Sequence, residues 1–266
     1  MRPIGLFFGG ILLGLVASFS ETMAQQAGQL AADEKRLVAL RARVKEQDFE
    51  KRTRYSAQFD KAFVALLRAN PQTLTYPFRQ LSAKNDLRVV TSADGTFRIY
   101  SWDDELGGTM RSFTTAYQWR DGGQVVVNVP RIYKEEGDAG SFCSAIFTVD
   151  VGKRRYYLAV ENSIFSTKDA RQSIAVYRVD KNRLISTDAL FRTQRKQFAR
   201  IDVDFDFFSV VDRPERPLQL ITYDAQQKIV AIPVVDDKGK VSNRRILYQL
   251  TGDHFQFIGI KAAKSK

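Results

Sequence analysis

The chain has 266 residues, of which 44% are hydrophobic and 12% aromatic, and this composition excludes a disordered protein. A formal charge of +11 favours acidic partners such as nucleic acid, anionic lipid or acidic polysaccharide, or simply keeps the protein from associating. One histidine excludes a multi-histidine metal centre, and one cysteine excludes an intramolecular disulfide.

Residues 1–24 have the character of a secretory signal peptide. Arg2 precedes an apolar run over residues 4–19, and the segment TMA, which ends with the small residue Ala24, lies where a signal peptidase site is expected. This pattern predicts cleavage after Ala24 and a periplasmic or secreted mature protein. The alternative is an uncleaved N-terminal anchor, although the apolar run is short for a membrane span.

Residues 25–70 are predicted to be helical. Leu30, Leu37, Leu40 and Val44 lie near one face of a first helix that is polar elsewhere, so this helix is expected to project or to lie on another surface.

A second helix is predicted by apolar residues at helical spacing, with Ser56 as the expected cap and Asn70-Pro71 as the end. This helix is expected to dock on the main domain through Phe59, Phe63, Leu66 and Leu67.

Residues 71–86 are predicted to form a linker, residues 87–262 an antiparallel β domain, and residues 263–266 a tail. From residue 87 onward the hydrophobic period is two, and aspartate–glycine turns separate short segments. Three segments, beginning near residues 97, 156 and 217, repeat one order of strand, loop and turn. The predicted fold is therefore mostly β, an antiparallel multi-strand meander with blade-like repeats (open propeller-like or sandwich), preceded by an N-terminal helical segment.

The stretch TSADGTFRIYSWDDELGGTM, residues 91–110, is the first candidate site. Alternation assigns Phe97, Ile99 and Ser101 to the core, and places Arg98 with two aromatic rings on an opposite face suited to stacking a planar or sugar ring. Acids and a glycine pair follow at the strand end, where scaffolds place binding groups. The alternative is an ordinary turn with the tryptophan packed beneath the helix. The candidate ligand-binding residues are Tyr100, Trp102, Asp103, Asp104, Glu105 and Arg111.

The same residues carry a family resemblance. The motif DGTFRIYSWD followed by GGT, and the helical segment ending ANPQTLTYPFRQL, are similar to uncharacterised exported bacterial proteins over residues 57–130. The resemblance implies an exported β-rich protein and no assigned activity. Arg111 stands where the family pattern leads us to expect a histidine, so no histidine-based role follows.

The second candidate site is the alternating segment ARIDVDFDFF, whose three carboxylates share one strand face. Such an array suits a hard cation or a carboxylate pair for glycoside hydrolysis. The alternative is cross-strand pairing with basic residues, for instance Arg244 and Arg245, or plain solvent exposure. The carboxylates are Asp202, Asp204 and Asp206.

The sequence carries no phosphate-binding glycine loop, nucleophile elbow or dinucleotide fingerprint. Cys143 is predicted to be a small hydrophobe at a strand start, and its pairing with His254 as nucleophile and base is the alternative. We therefore expect a non-enzymatic exported binding or scaffold protein of the cell envelope, with an unknown ligand or protein partner.

No cofactor, no metal and no specific nucleic acid are expected, and membrane contact is expected only through an uncleaved N-terminal segment. One alternative function is a glycan-directed hydrolase that uses the strand-end carboxylates. Another is a member of a protein complex in which residues 25–50 form a docking helix.

Overall fold

The computed structural model describes residues 10–130 and 137–262, with side chains from residue 25 onward. The predicted tail, 263–266, and the first nine residues of the predicted signal peptide lie outside the described residues. Residues 10–24 are described as helical backbone alone. Among the described residues, no helix combines the length and the apolar character that crossing a bilayer requires.

Two long helices, α1 (Gly10–Val44) and α2 (Phe49–Ala69), form a hairpin. The helix α2 is capped by Asp48, whose carboxylate accepts a hydrogen bond from the Lys51 amide at 2.9 Å. The predicted cap, Ser56, instead lies buried inside α2. The predicted end at Asn70-Pro71 is confirmed, because Pro71 begins a separate 3-10 turn, Pro71–Leu74.

The segment predicted as a linker is ordered structure that packs on the hairpin. After the 3-10 turn it forms a short helix, α3 (Arg79–Ala83), which has no side-chain cap of its own. A buried residue of α1, Glu34, supplies that cap: its carboxylate accepts from the Gln80 and Leu81 amides at 2.7 and 3.1 Å. The same carboxylate accepts from the Tyr76 hydroxyl, and burial together with this bond raises the pKa of Tyr76 to about 12.

The described part of the chain contains fifteen strands, whose bounds follow. They are β1 (Arg88–Thr91), β2 (Phe97–Asp103), β3 (Phe113–Asp121), β4 (Gln124–Asn128), β5 (Phe142–Val151), β6 (Arg154–Ile164), β7 (Asp169–Asp180), β8 (Arg183–Ile185), β9 (Phe191–Arg192), β10 (Gln197–Phe198), β11 (Arg200–Asp206), β12 (Thr222–Asp224), β13 (Ile229–Val235), β14 (Val241–Thr251) and β15 (His254–Ala262).

The strands form three open sheets, which confirms the mostly β, antiparallel prediction. The first sheet has the order β1-β2-β3-β4, the second β11-β7-β6-β5, and the third β10-β9-β15-β14-β13-β12. The strand β8 extends β7, and β15 with β9 is a parallel pair. Each of the three segments that repeat in the sequence supplies the central strands of a different sheet.

The molecule is layered, because the central sheets are covered on both faces. The helices pack on the first sheet through Phe63, Tyr100 and Trp102. The first and second sheets share a core, and the second and third sheets share another. Consequently six successive residues of β2, from Phe97 to Trp102, are all buried. The two-residue alternation of apolar and polar side chains identifies β2 as a strand, but it does not show whether either face of the strand is exposed.

Two strand predictions differ from the structure. The repeated segment that begins near residue 217 is predicted to open with a strand, but strand pairing there covers only β12. The strands β9 and β10 were not predicted, since two residues are too few to show an alternation.

The turn at Asp94 ties the first sheet to the second. Its carboxylate accepts from Ser92 and Thr96 within the turn, and from Tyr157 at 3.1 Å and Arg155 at 3.2 Å on β6. Burial raises the pKa of Asp94, but the hydrogen bonds from Ser92, Thr96 and Tyr157 outweigh it and hold the pKa below its ordinary value.

We expect Asp94→Asn to destabilise the protein at neutral pH by about 1 kcal/mol, a modest value because the carboxylate is partly exposed. A lowered folded-state pKa means that the carboxylate stabilises the fold above the unfolded pKa and loses this effect as pH falls through the folded pKa. The difference in unfolding free energy between wild type and variant should therefore shrink on acidification. Urea unfolding at neutral and acidic pH measures it. Asp237→Asn, in an exposed turn, is the control, and an equal pH dependence for both variants would contradict the assignment.

Candidate functional site

A cleft of about 730 Å³ opens where the end of the helical hairpin, the first sheet and the second sheet meet. Four of the predicted ligand-binding residues line it. Trp102 reaches it with only 2% of its surface exposed, and the others stand at its rim. The rim residues are Asp103, Glu105 and Arg111.

Cations outnumber carboxylates in the cleft by six to three, so the described cleft favours a negatively charged occupant. The cations are Lys45, Lys84, Arg88, Arg111, Arg171 and Arg216, and the carboxylates are Asp86, Asp103 and Glu105.

Arg111 is clamped between two of these carboxylates. Its Nε donates to Asp103 at 2.6 Å and a terminal nitrogen donates to Glu105 at 3.2 Å. Burial lowers the pKa of Arg111, but the two carboxylates outweigh it and raise the pKa above its ordinary value. The Arg111 amide also donates to the Ile164 carbonyl at 3.0 Å, which ties this loop to the second sheet.

A buried arginine of α1, Arg41, contacts the same two acidic residues that pair with Arg111. Arg41 is 1% exposed, lies over the Phe59 ring at 5.2 Å and donates to the Asp103 carbonyl at 2.8 Å. Its guanidinium also lies 3.6 Å from Glu105 and 3.9 Å from Asp86. The helical layer, which consists of α1, α2 and α3, therefore positions the carboxylates of the cleft.

Arg88 differs from the clamped cations. Its guanidinium lies over the Phe142 ring, 4.4 Å from the centroid, and Phe142 contacts Phe113 edge-on at 5.0 Å. None of the described carboxylates forms an ion pair with Arg88, and burial lowers its pKa. A partly desolvated charge without a counter-ion is costly, and an anion entering the cleft would relieve that cost.

The wall from the second sheet is apolar and basic. It carries Phe205 and Leu218 beside Arg171 and Arg216, and the residues described on this wall include no carboxylate. Arg171 is neutralised from outside the cleft, since Asp204 accepts two hydrogen bonds from it at 2.6 and 2.9 Å.

Two of the predicted stacking residues belong to the interior, which corrects the expectation of an open aromatic face on β2. Tyr100 is fully buried, and its hydroxyl donates to the Thr73 carbonyl at 2.7 Å. Trp102 donates from its indole to Asp60 at 2.7 Å. The face is covered because α2 packs directly on it. Burial raises the pKa of Tyr100.

Asp104 does not line the cleft. It is 8% exposed and organises the loop, accepting from the Leu106 amide at 2.9 Å and from the Ser112 hydroxyl. Of the three consecutive acids, only Asp103 and Glu105 therefore face the cleft.

The carboxylate cluster on β11 is paired with neighbouring cations. Asp202 accepts from Arg200 at 2.6 Å, Asp204 pairs with Arg171, and Asp206 caps the following 3-10 turn by accepting from the Phe208 amide. The cationic partners of Asp202 and Asp204 therefore lie on β7 and β11, and not at Arg244 and Arg245, because β11 pairs with β7 inside the second sheet. Within the described ranges, no group of three or more acidic, cysteine or histidine side chains is arranged to hold a metal ion.

Cys143 and His254 do not form a nucleophile–base pair. The thiol lies buried between the first and second sheets, and burial raises its pKa well above the ordinary value. His254 lies on β15 of the third sheet, where its ring contacts Asp253 at 2.7 Å and Gln256 at 3.1 Å. The two residues therefore lie in different parts of the fold and do not contact each other.

Sequence reasoning missed Arg88 and Arg41. The apolar spacing of α1 pointed to Leu30, Leu37 and Val44, and the same seam continues through Glu34 and Arg41 in steps of four and three. The positions of Glu34 and Arg41 in this repeating pattern were the sequence signal from which their burial could have been predicted. Nothing local marks Arg88, since the absence of a carboxylate partner among the described residues depends on which strands surround it.

A scan against protein-family models found no match for this chain, and a search of curated proteins found none either. The resemblance of residues 57–130 to exported bacterial proteins therefore stays a prediction.

We expect Arg41→Met to destabilise the protein by about 3 kcal/mol, because it leaves the Asp103 carbonyl without its donor and removes one of the two cations beside the buried Asp86. Denaturant unfolding measures the loss. Arg36→Met is the matched control, since Arg36 lies on the same helix with 77% of its side chain exposed. Equal stabilities of the two variants would show that Arg41 does not anchor the helical layer.

Proposed function

We propose that this protein is a binding protein whose cleft takes an anionic ligand. The observation that carries the proposal is Arg88, a partly desolvated guanidinium without a carboxylate partner among the described residues, held over Phe142 in a basic cleft. Hydrogen bonds from a guanidinium to a carboxylate or phosphate are stronger than neutral ones, so an anion is the ligand chemistry this residue recognises best.

The cleft also suits an apolar or ring-shaped portion of the ligand. Phe113 and Phe142 lie beside Arg88, while Phe205 and Leu218 line the facing wall. Aromatic rings contribute contact area without needing a polar partner. A ligand with one anionic group and one ring or apolar body therefore uses the cleft better than a bare ion.

The alternative function, a glycan-directed hydrolase, receives less support. Retaining and inverting hydrolases place two carboxyl groups on either side of the scissile bond. Here the cleft carboxylates Asp86, Asp103 and Glu105 come from the helical layer and the first sheet, and each is bound by a cation. The facing wall, in its described part, offers cations and apolar groups in their place.

We further propose that the protein is exported from the cell that makes it. The support is the N-terminal pattern of Arg2, the apolar run and the exit at Ala24. Leu37 and Val44 of α1 pack in the core between the helices and the first sheet, and both belong to the predicted mature chain.

The ligand proposal is tested with three probes: phenyl phosphate, inorganic phosphate and phenol. We expect phenyl phosphate to bind most tightly, because it combines the anion with the ring. Arg88→Met should weaken its binding about tenfold or more, the usual worth of a hydrogen bond to a charged group. Isothermal titration calorimetry measures the affinities.

Arg120→Met is the matched control for Arg88→Met, since Arg120 is an exposed strand arginine that does not line the cleft. If both variants bind phenyl phosphate as wild type does, Arg88 is not the anion-binding group. If phenol binds as tightly as phenyl phosphate, the preference for anions is wrong.

The export proposal predicts a mature chain beginning at Gln25. Intact mass measurement of the protein purified from the envelope fraction of a bacterial host checks this outcome. Replacing Ala24 by a bulky residue should block processing and leave the full-length mass, because signal cleavage requires small residues at the exit. An unprocessed wild-type chain in the cytoplasmic fraction would refute the proposal.

A further inference from the structure

A second surface stands out on the 3-10 turn that follows β11. Phe208 is 59% exposed and Val211 is 43% exposed. Phe208 lies within the 3-10 turn Phe207–Val210 and Val211 directly follows it, so the two exposed side chains lie on one short turn. Neither side chain is part of the cleft, so the ligand proposal leaves both unexplained.

Two arginines of the same loop, Arg213 and Arg216, lie beside this apolar pair. Arg216 donates to the Val211 carbonyl at 2.9 Å and to the Arg213 carbonyl at 2.6 Å, which holds its charge beside the turn. Arg213 lies within electrostatic reach of Arg245 on β14, and Lys261 stands opposite Arg245 on β15. These six residues, Phe208, Val211, Arg213, Arg216, Arg245 and Lys261, are the Phe208 patch.

The cations of the patch are crowded against each other. Burial and the charge of Arg213 lower the pKa of Arg245, and one terminal nitrogen of Arg245 is buried without a hydrogen-bond partner. Three carboxylates adjoin the same turn: Glu215 lies 3.7 Å from Arg213, Asp212 follows Val211, and Asp206 caps the turn and lies 3.7 Å from Lys168. With Lys168 counted, five cations against three carboxylates leave an excess of positive charge around an exposed apolar tip.

We infer that the Phe208 patch docks on a lipid bilayer that contains anionic headgroups. The apolar tip would enter the boundary between headgroups and acyl chains, and the surrounding cations would bind the phosphates. The sequence had predicted membrane contact only through the N-terminal segment. The patch shares Arg216 with the cleft, but Phe208 and Val211 lie outside the cleft lining, so their contact with lipid does not require Arg88.

The shape of the patch favours a bilayer over an acidic protein. Phe208 and Val211 protrude from a turn, and a stable protein partner would need a pocket shaped to receive them. A bilayer accepts a protruding phenylalanine without such complementarity, and each nearby Lys or Arg adds attraction to anionic lipid. The positive excess supplies the charge complementarity that a neutral surface would not use.

The test introduces a local reporter by Phe208→Trp in the full chain. The native tryptophans, Trp102 and Trp119, are each 2% exposed, so the new indole dominates any response to lipid. We expect its fluorescence to shift to the blue and to be quenched by vesicles containing brominated phosphatidylglycerol, and much less by brominated phosphatidylcholine alone. In this background, Arg245→Met and Lys261→Ser should each raise the lipid concentration for half-maximal quenching about fivefold.

Phe49→Trp is the matched control, because Phe49 is also 59% exposed but lies at the hairpin tip. Quenching of Trp at position 49 to the same extent would show non-specific adsorption and overturn the inference. Absence of quenching at position 208, or quenching that does not require the anionic lipid, would also overturn it. Lys261→Ser keeps the test decisive if Arg245→Met fails to fold, since Lys261 is exposed. Adding Arg88→Met should leave the quenching unchanged, which separates this inference from the cleft proposal.

Discussion

Two buried charges on one helix hold the helical layer on the rest of the molecule. Glu34 and Arg41 lie in the apolar seam of α1, where an unpaired charge would cost several kcal/mol. Glu34 binds amides at the start of α3, and Arg41 binds the Asp103 carbonyl at the end of β2. Because these partners are backbone groups at set positions, the charges fix where the hairpin lies. The hairpin in turn covers β2 and brings Lys45 and Asp86 to the cleft.

The layering of helices and three sheets determines which side chains are accessible to a ligand. A strand that is buried on both faces offers no side chain to a ligand along its length, as the run from Phe97 to Tyr100 shows. Accessible polar groups are therefore confined to strand ends, turns and outer faces. Both the cleft and the Phe208 patch follow this rule, since one lies beyond the ends of β2 and β6 and the other on a turn after β11.

Within the cleft, ion pairing distinguishes the arginines that shape the walls from the arginine that is proposed to bind the ligand. Arg111 and Arg171 are already satisfied by carboxylates of the chain, so they shape the walls at little electrostatic cost. No carboxylate among the described residues compensates the partly desolvated Arg88, and an incoming anion would supply that compensation. The proposed function rests on this difference between otherwise similar residues, and not on the overall charge of the protein.

The amino-acid sequence by itself determined the elements. Period-two alternation and aspartate–glycine turns depend on neighbours in the chain, so the antiparallel strands, the two helices and the break at Asn70-Pro71 were readable. It also drew attention to the loop of Asp103, Glu105 and Arg111, because clustered acids and glycines after a strand are a local signal. Only the tertiary structure decided that Tyr100 is interior and that Arg88 lies over Phe142, with no ion pair to any carboxylate in the described ranges. Burial and ion pairing depend on which layer packs against a residue, and those contacts join residues far apart in the chain.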